Sequence, residues 1–150
     1  TWDEVDLQAG VWTVPGERMK AGRTHRVPLS KRALEILHHL PRIDGCPLVF
    51  AAPRGGQLSD MTLTAVMRRM KVDAVPHGFR SSFRDWVGER TAYPREVAEQ
   101  SLAHAIENQV EAAYRRGDLF AKRARLMDDW ARFCETQQSA GDIIPLRGTA

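Results

Sequence analysis

The hydrophobic pattern changes period once along the chain, and this change constrains the fold more than any other feature. Before residue 30, short alternating runs between turn residues predict strands over Trp2–Leu7, Val11–Val14 and His25–Leu29. From Ser30 onwards, apolar residues recur at helical spacing. The chain is therefore predicted to be α+β, with a small three-stranded antiparallel sheet at its N-terminal end and a predominantly helical core.

Six helical segments are predicted after the sheet. Ser30 is expected to cap the first, which runs to about Leu40 and ends at Pro41. The others cover residues 60–71, 77–90, 94–100 and 107–115, and a long one that begins at the cap Asp118. Apolar spacing predicts the buried faces of three of these helices: Leu34, Leu37 and Leu40; Leu63, Val66, Met67 and Met70; and Leu119, Ala124, Met127, Trp130 and Cys134.

The composition bounds the class of protein. With 150 residues, of which 43% are hydrophobic, the chain is predicted to form one soluble globular domain. A net charge of +3 gives only a mild preference for polyanions. The basic residues gather in four segments that are typical of solvated helix faces as well as of nucleic-acid contact: Arg18–Arg26, Arg68–Lys71, Arg115–Arg116 and Lys122–Arg125.

The two cysteines, Cys46 and Cys134, lie far apart and lack the spacing of a zinc site. No apolar run is long enough to span a membrane, and no secretion signal is visible. The sequence predicts a reduced, cytoplasmic protein with no metal, no cofactor and no membrane contact.

Three short strings place cations and a phenol in an order that suits a phosphodiester. His77 and Arg80, three residues apart at a helix start, are expected to share one face, where free N–H groups and the helix dipole also attract an anion. His104 adds a donor, and Tyr114 among cations is a plausible nucleophile. The strings therefore suggest DNA strand cleavage without a metal. They are Pro-His-Gly-Phe-Arg at 76–80, Leu-Ala-His at 102–104 and Ala-Ala-Tyr-Arg-Arg at 112–116.

Each of these residues also has a purely structural interpretation. A tyrosine near a helix end is commonly an amphipathic residue at the edge of a core, as expected of Tyr93. His77 would serve as a helix cap, Arg80 as a surface ion pair and His104 as a hydrogen-bonded interior imidazole.

The order of the three strings resembles that of the tyrosine recombinase, or phage integrase, family. The segment Met19–Ser30 is similar to the family's hairpin, in which a lysine on the turn, here Lys20, precedes a strand ending in Val-Pro-Leu. The likeness continues through Phe79–Trp86 and Arg116–Asp118 and is strongest to integrases of prophages and genomic islands. It covers roughly residues 1–135.

The resemblance implies a role for each site residue. Tyr114 would attack the scissile phosphorus to give a 3′-phosphotyrosine and a free 5′-hydroxyl. Arg80 and His104 would hold the non-bridging oxygens. Lys20 would protonate the departing 5′-oxygen, and His77 would help to order the phosphate and assist proton movement at the tyrosine. Contact with the DNA is predicted for five arginines: Arg23, Arg26, Arg84, Arg115 and Arg116.

The resemblance also implies an extent and partners. Residues 1–138 would be part of a catalytic domain and 139–150 a flexible tail. A further arginine, in a Gly-x-Arg-x-x-Glu string, would precede Thr1, so this chain is expected to be the C-terminal part of a longer integrase and a poor catalyst alone. Double-stranded attachment sites and a tetramer on DNA are expected, with Phe133–Ile144 docking on a neighbouring subunit. Two alternatives remain open: a catalytically silent DNA-binding or interaction remnant, and DNA relaxation like that of type IB topoisomerases.

Overall fold

The computed structural model describes residues 1–53, 55–104 and 117–136. The sheet is antiparallel with the order β1-β2-β3, and its strands are Val5–Asp6, Val11–Val14 and His25–Pro28. The described helices are α1 Lys31–His39, α2 Thr62–Arg69, α3 Gly78–Arg90, α4 Arg95–Ser101 and α5 Phe120–Glu135. The predicted α+β class, with its small N-terminal sheet, is confirmed. The helix predicted over 107–115 lies outside the described residues.

The first strand is shorter than the sequence predicts. Trp2–Glu4 form a 3₁₀ turn, and β1 contains only Val5 and Asp6. The turn is stabilised from the neighbouring strand, because the Glu4 carboxylate accepts a hydrogen bond from Nε1 of Trp12 at 3.2 Å. This bond is the main cause that lowers the pKa of Glu4, and the Arg18 guanidinium acts in the same direction. This polar contact helps to hold Trp2–Glu4 in the turn, so the predicted strand begins only at Val5.

Helix α1 follows the prediction, whereas α2 does not. The Ser30 hydroxyl accepts a hydrogen bond from the Ala33 N–H at 3.2 Å, and Leu37 is buried. In α2, Met67 is buried, but Leu63 is 63% exposed and Met70, just after the helix, is 67% exposed. The predicted stripe is wrong at its two ends, since no described helix or strand packs closely over that side of α2.

The main core joins the last three described helices. Its buried residues are Phe83, Trp86, Val87, Val97, Ala98 and Leu126. Trp130 of α5 packs edge-on against Phe83, with ring centroids 5.5 Å apart, and lies 5.1 Å from Trp86. Phe133 lies 5.5 Å from Trp86. These contacts fix α5 against α3, and they supply much of the apolar burial.

One expectation for α5 is wrong. Cys134, predicted to be buried, is exposed, because the face of the helix that packs on the core contains the buried Arg123 and Leu126 and the partly buried Trp130 and Phe133. Phe133, the first residue of the predicted docking segment, thus packs partly against this chain's own core. The remainder of that proposed docking segment, residues 137–144, lies outside the described part of the chain.

Candidate active site

The start of α3 carries His77 and Arg80 in a different arrangement from the predicted one. His77 occupies the N-cap position, is exposed and makes no capping hydrogen bond. The N–H groups of Gly78, Phe79 and Arg80 donate to the carbonyls of residues 75, 76 and 77 at 2.9, 3.3 and 3.1 Å. The expected row of free first-turn N–H groups is therefore wrong, because a tight turn before the helix already engages them. The anion contact predicted here would therefore have to come from side chains.

Arg80 turns from α3 toward the end of α4. Its side chain is half-buried, and Nη2 donates to the carbonyl oxygen of Leu102 at 2.6 Å. Leu102 is the C-cap of α4, where helix carbonyls lack intrahelical partners and the dipole favours a cation. The guanidinium is thus held two residues from His104.

His104 is placed by the way α4 ends. Ala103 takes a left-handed conformation with φ +54°, its N–H donates to the Gln100 carbonyl at 3.1 Å, and the His104 N–H donates to the Glu99 carbonyl at 2.9 Å. This pair of bonds is a Schellman motif, which closes the helix and turns the next residue back over its last turn. The local backbone therefore brings the imidazole beside Glu99.

The Glu99 carboxylate contacts one imidazole and two guanidinium groups. Oε2 bonds with Nδ1 of His104, while Oε1 lies 3.0 Å from Nε of Arg84 and 3.5 Å from Nε of Arg95. The hydrogen bond with His104, followed by that from Arg84, lowers the pKa of Glu99, so its carboxylate is charged at neutral pH. A charged acceptor on Nδ1 fixes the ring orientation and leaves Nε2 for a ligand. The His104 side chain is 37% exposed, as a ligand contact requires.

Lys20 and Arg23 lie on the loop between β2 and β3, and both are exposed. This loop is folded rather than extended: Gly16–Arg18 form a 3₁₀ turn, and a Cβ at Gly16 would approach the Gly22 carbonyl oxygen to 2.7 Å. The absence of a side chain at Gly16 therefore allows the two ends of the loop to meet. The loop presents Lys20 to solvent near its tip.

Arg26 and Arg84, two predicted DNA contacts, already have acidic partners. Arg26 lies 3.4 Å from Asp118 and 4.2 Å above the Phe120 ring, and Arg84 pairs with Glu99. Both side chains are about half exposed, so a phosphate would share them with these partners. Tyr114, Arg115 and Arg116 lie outside the described residues. The chain on either side of them is described as far as His104 and from Gly117.

Two residues at this site were not predicted. Glu99 shows only an ordinary i, i+4 spacing from Arg95, and nothing in the sequence connects it with His104. Arg123 stands in the predicted basic segment Lys122–Arg125, yet it is buried. Its spacing of three from Leu126 and seven from Trp130 was the available signal.

Within residues 1–53, 55–104 and 117–136, no three acidic, histidine or cysteine side chains form a metal site, and no helix could cross a membrane.

A comparison with known protein families identifies the family of this chain. The model of the phage integrase family matches residues 1–118. This range includes His77, Arg80, His104 and the string that contains Tyr114. The chain belongs to the phage integrase family. The predicted kinship is confirmed, and neither alternative, a silent remnant or a relaxing enzyme, is favoured by it.

Individual relatives agree with this assignment. The prophage integrase IntA of Escherichia coli K12 is 33% identical in an alignment 148 positions long, which covers 95% of this chain and 36% of that protein. The integrase of enterobacteria phage P4 is 30% identical in an alignment of the same length, 148 positions, which covers 86% of this chain and 34% of that protein. This integrase-family chain thus spans just over a third of the length of these relatives. No solved structure matches it at comparable significance.

Proposed function

We propose that this chain provides the nucleophile and most of the phosphate-binding side chains of a site-specific DNA recombinase. The observation that supports this most directly is the common support of Arg80 and His104. Leu102 accepts from Arg80, and Glu99 bonds with His104 one turn earlier along α4. One helix end therefore supports both side chains that we propose as phosphate donors.

The chemistry follows from this set of donors. The Leu102 carbonyl uses one of the five N–H donors of a guanidinium, and a bidentate phosphate contact needs two. Arg80 and Nε2 of His104 would therefore hold the non-bridging oxygens, where negative charge increases in the transition state. His77, exposed at the start of α3, would help to order the phosphate.

Strand cleavage exchanges one phosphate ester for another. The Tyr114 hydroxyl passes its proton to His77 as its oxygen forms a bond to phosphorus, the bond from phosphorus to the 5′-oxygen breaks, and Lys20 gives that leaving oxygen a proton. The product is a 3′-phosphotyrosine and a 5′-hydroxyl. Because the ester linkage is conserved in the intermediate, attack by a second 5′-hydroxyl rejoins DNA without ATP.

The partner in this proposal is double-stranded DNA that carries attachment sites. Arg23, Arg26, Arg84, Arg115 and Arg116 would contact its phosphates, which position the protein without reading sequence. Exchange between two sites requires four cleavages, so the active assembly is proposed to be a tetramer on paired DNA. It would act in the cytoplasm.

The test maps a covalent adduct. The natural full-length protein is incubated with labelled DNA from the junctions that flank its gene, denatured in detergent and digested, and the DNA-linked peptide is identified by mass spectrometry. We expect a 3′-phosphotyrosine on Tyr114. An adduct on another residue, or intact DNA binding with no adduct, would contradict the proposal and favour a role in binding alone.

Replacing Arg80 with alanine should slow cleavage by about 10²–10³-fold, the usual effect of removing one donor to a transition-state oxyanion. DNA affinity should fall only slightly, because one phosphate contact is a small part of the footprint. Single-turnover cleavage and a binding titration measure the two effects. Arg90→Ala, an exposed arginine on the same helix, is the matched control and should cleave normally. A loss of binding as large as the loss of cleavage would refute the role given to Arg80.

Replacing Glu99 with alanine should slow cleavage on the order of tenfold, because His104 loses the acceptor that orients its ring. Glu99→Gln should retain more activity, since its amide oxygen still accepts from Nδ1. Nitrogen NMR of the His104 ring should report a changed protonation of Nδ1 and Nε2 in the alanine variant. Glu89→Ala, on the exposed side of α3, serves as the control. An unchanged His104 spectrum would rule out orientation by Glu99.

A further inference from the structure

Three successive turns fold the loop that carries Lys20. The N–H groups of Arg18, Met19 and Gly22 donate to the carbonyls of residues 15, 16 and 19 at 3.1, 2.9 and 2.9 Å, and Lys20 lies within the last of these turns. All three bonds are internal to the loop. They give the loop a local shape, but they do not set how it leans against the sheet.

A single side-chain hydrogen bond in the described part of the chain connects residues 15–24 with the rest of the protein. Nη2 of Arg18 donates to Oε2 of Glu4, which ends the 3₁₀ turn before β1. The Trp12 indole of β2 donates to the same oxygen at 3.2 Å, and the Thr1 amino group lies 3.2 Å from it. The carboxylate is thus held at the sheet, and the arginine reaches it from the loop.

The position of Arg18 bears directly on Lys20. The two residues are two positions apart, so their backbones lie within about 7 Å of each other. Without the bond to Glu4, the hydrogen bonds of the described residues would fix the loop to the sheet only at its two ends. Because the internal turns make the loop compact, holding Arg18 also holds the turn that presents Lys20.

The bond contributes little to folding stability. The Arg18 side chain is 51% exposed, and water screens such an ion pair while the long side chain loses freedom. Replacing Arg18 leaves Glu4 with the Trp12 indole and with solvent, so no buried charge becomes unpaired. The same bond can still select one loop position, because the positions of a loop differ in free energy far less than the folded and unfolded states do.

We propose that Glu4, acting through Arg18, positions Lys20 to protonate the leaving 5′-oxygen. Both are positioning residues, and the inference rests on the function proposed above. A general acid must lie within hydrogen-bond reach of the atom that it protonates. Because the ion pair is half exposed, we expect Arg18→Ala to slow single-turnover cleavage by about 3–10-fold at saturating protein, with a melting temperature close to that of the wild type.

DNA with a sulfur leaving atom isolates the proton transfer. When sulfur replaces the 5′-bridging oxygen at the cleavage position, the phosphorus–sulfur bond breaks to give a thiolate, which needs no general acid because the pKa of a thiol is only about 8.5. The slowing by Arg18→Ala, like that by Lys20→Ala, should shrink to less than about twofold on this DNA. Equal slowing by Arg18→Ala on both substrates would overturn the proposal. Equal slowing by Lys20→Ala would refute the acid role of Lys20 and the proposal with it.

A double-mutant cycle in the natural full-length protein tests whether Glu4 and Arg18 act as one unit. The double variant Glu4→Ala with Arg18→Ala should cleave no more slowly than the slower single variant. Slowing equal to the product of the two single effects would overturn action through the pair. Glu17→Ala, which removes an exposed carboxylate of the same loop, is the matched control and should cleave normally.

A second measurement does not depend on catalysis. Glu4→Ala keeps every basic residue of the loop, and trypsin should cut it after Lys20 and Arg23 several-fold faster than the wild type and Glu17→Ala, because the loop is no longer held. Unchanged cutting, or faster cutting at all sites with a lowered melting temperature, would overturn the tether. If the wild type forms no adduct with DNA, the proposed function fails, and this digestion still decides whether Glu4 holds the loop.

Discussion

The substitution Tyr114→Phe should abolish the covalent adduct between protein and DNA. The substitution removes only the hydroxyl, so the attacking oxygen is lost while the ring keeps its shape. The loss of cleavage should be on the order of 10⁴-fold or more, as expected when the nucleophile of a covalent mechanism is deleted. Denaturing gel electrophoresis with end-labelled DNA measures the adduct, and a binding titration should show nearly unchanged affinity.

The other tyrosine supplies a matched control. The Tyr93 hydroxyl donates to Asp129 at 2.7 Å, and burial followed by this bond raises the Tyr93 pKa, so the group is a neutral structural donor. Tyr93→Phe should cost about 0.5–1.5 kcal/mol of folding stability and leave the adduct intact. An adduct that persists in Tyr114→Phe but disappears in Tyr93→Phe would reverse the assignment of the nucleophile.

Ending the chain at Asp129 should unfold the helical core. The deletion removes Trp130 and Phe133, whose rings pack on Phe83 and Trp86. Truncating one fully buried aromatic side chain costs about 3–5 kcal/mol, so the loss of these two partly buried rings is a large part of the stability of a typical domain, about 5–15 kcal/mol. Thermal unfolding followed by circular dichroism measures this. A cooperative transition within a few degrees of the wild type would contradict the proposed importance of these rings.

Ending the chain at Thr136 is the matched comparison, because it keeps the described part of α5 complete. This variant should melt like the wild type. It also isolates the role of residues 137–150 in assembly: we expect DNA affinity to persist while association on DNA weakens. Sedimentation that finds equal assembly by this variant would refute a docking role for that segment.

The helices whose ends depend on neighbouring residues were predicted correctly from local sequence patterns. Ser30 and the apolar spacing of α1 fixed that helix, and Pro76 and Pro94 preceded α3 and α4 as expected. Contacts between distant segments were not predictable in this way. The Arg80 bond to Leu102 joins residues 22 apart, and the Arg123 bond to Arg26 joins residues 97 apart. Neither leaves a periodic trace in the sequence.

The errors have a physical pattern as well. Periodicity identifies an apolar face, but it does not reveal whether another element covers that face, and Leu63 and Met70 are exposed for this reason. A basic segment likewise does not identify which of its members points inward. In the segment Lys122–Arg125 the buried member is Arg123, which lies three residues before the buried Leu126 and so on the same face of the helix.

The two proposed phosphate donors, Arg80 and His104, differ in how a mutation can displace them. Arg80 is held by a main-chain oxygen, which every amino acid provides, so substitutions of the Leu102 side chain leave its acceptor in place. His104 is held by the Glu99 side chain, which a single codon change can remove. During sequence drift or laboratory evolution, the position of the Arg80 side chain should therefore tolerate substitutions at its acceptor residue. The orientation of the His104 ring should change when Glu99 is replaced. Glu99 is accordingly the position through which the activity of this site can be tuned without altering a proposed phosphate ligand.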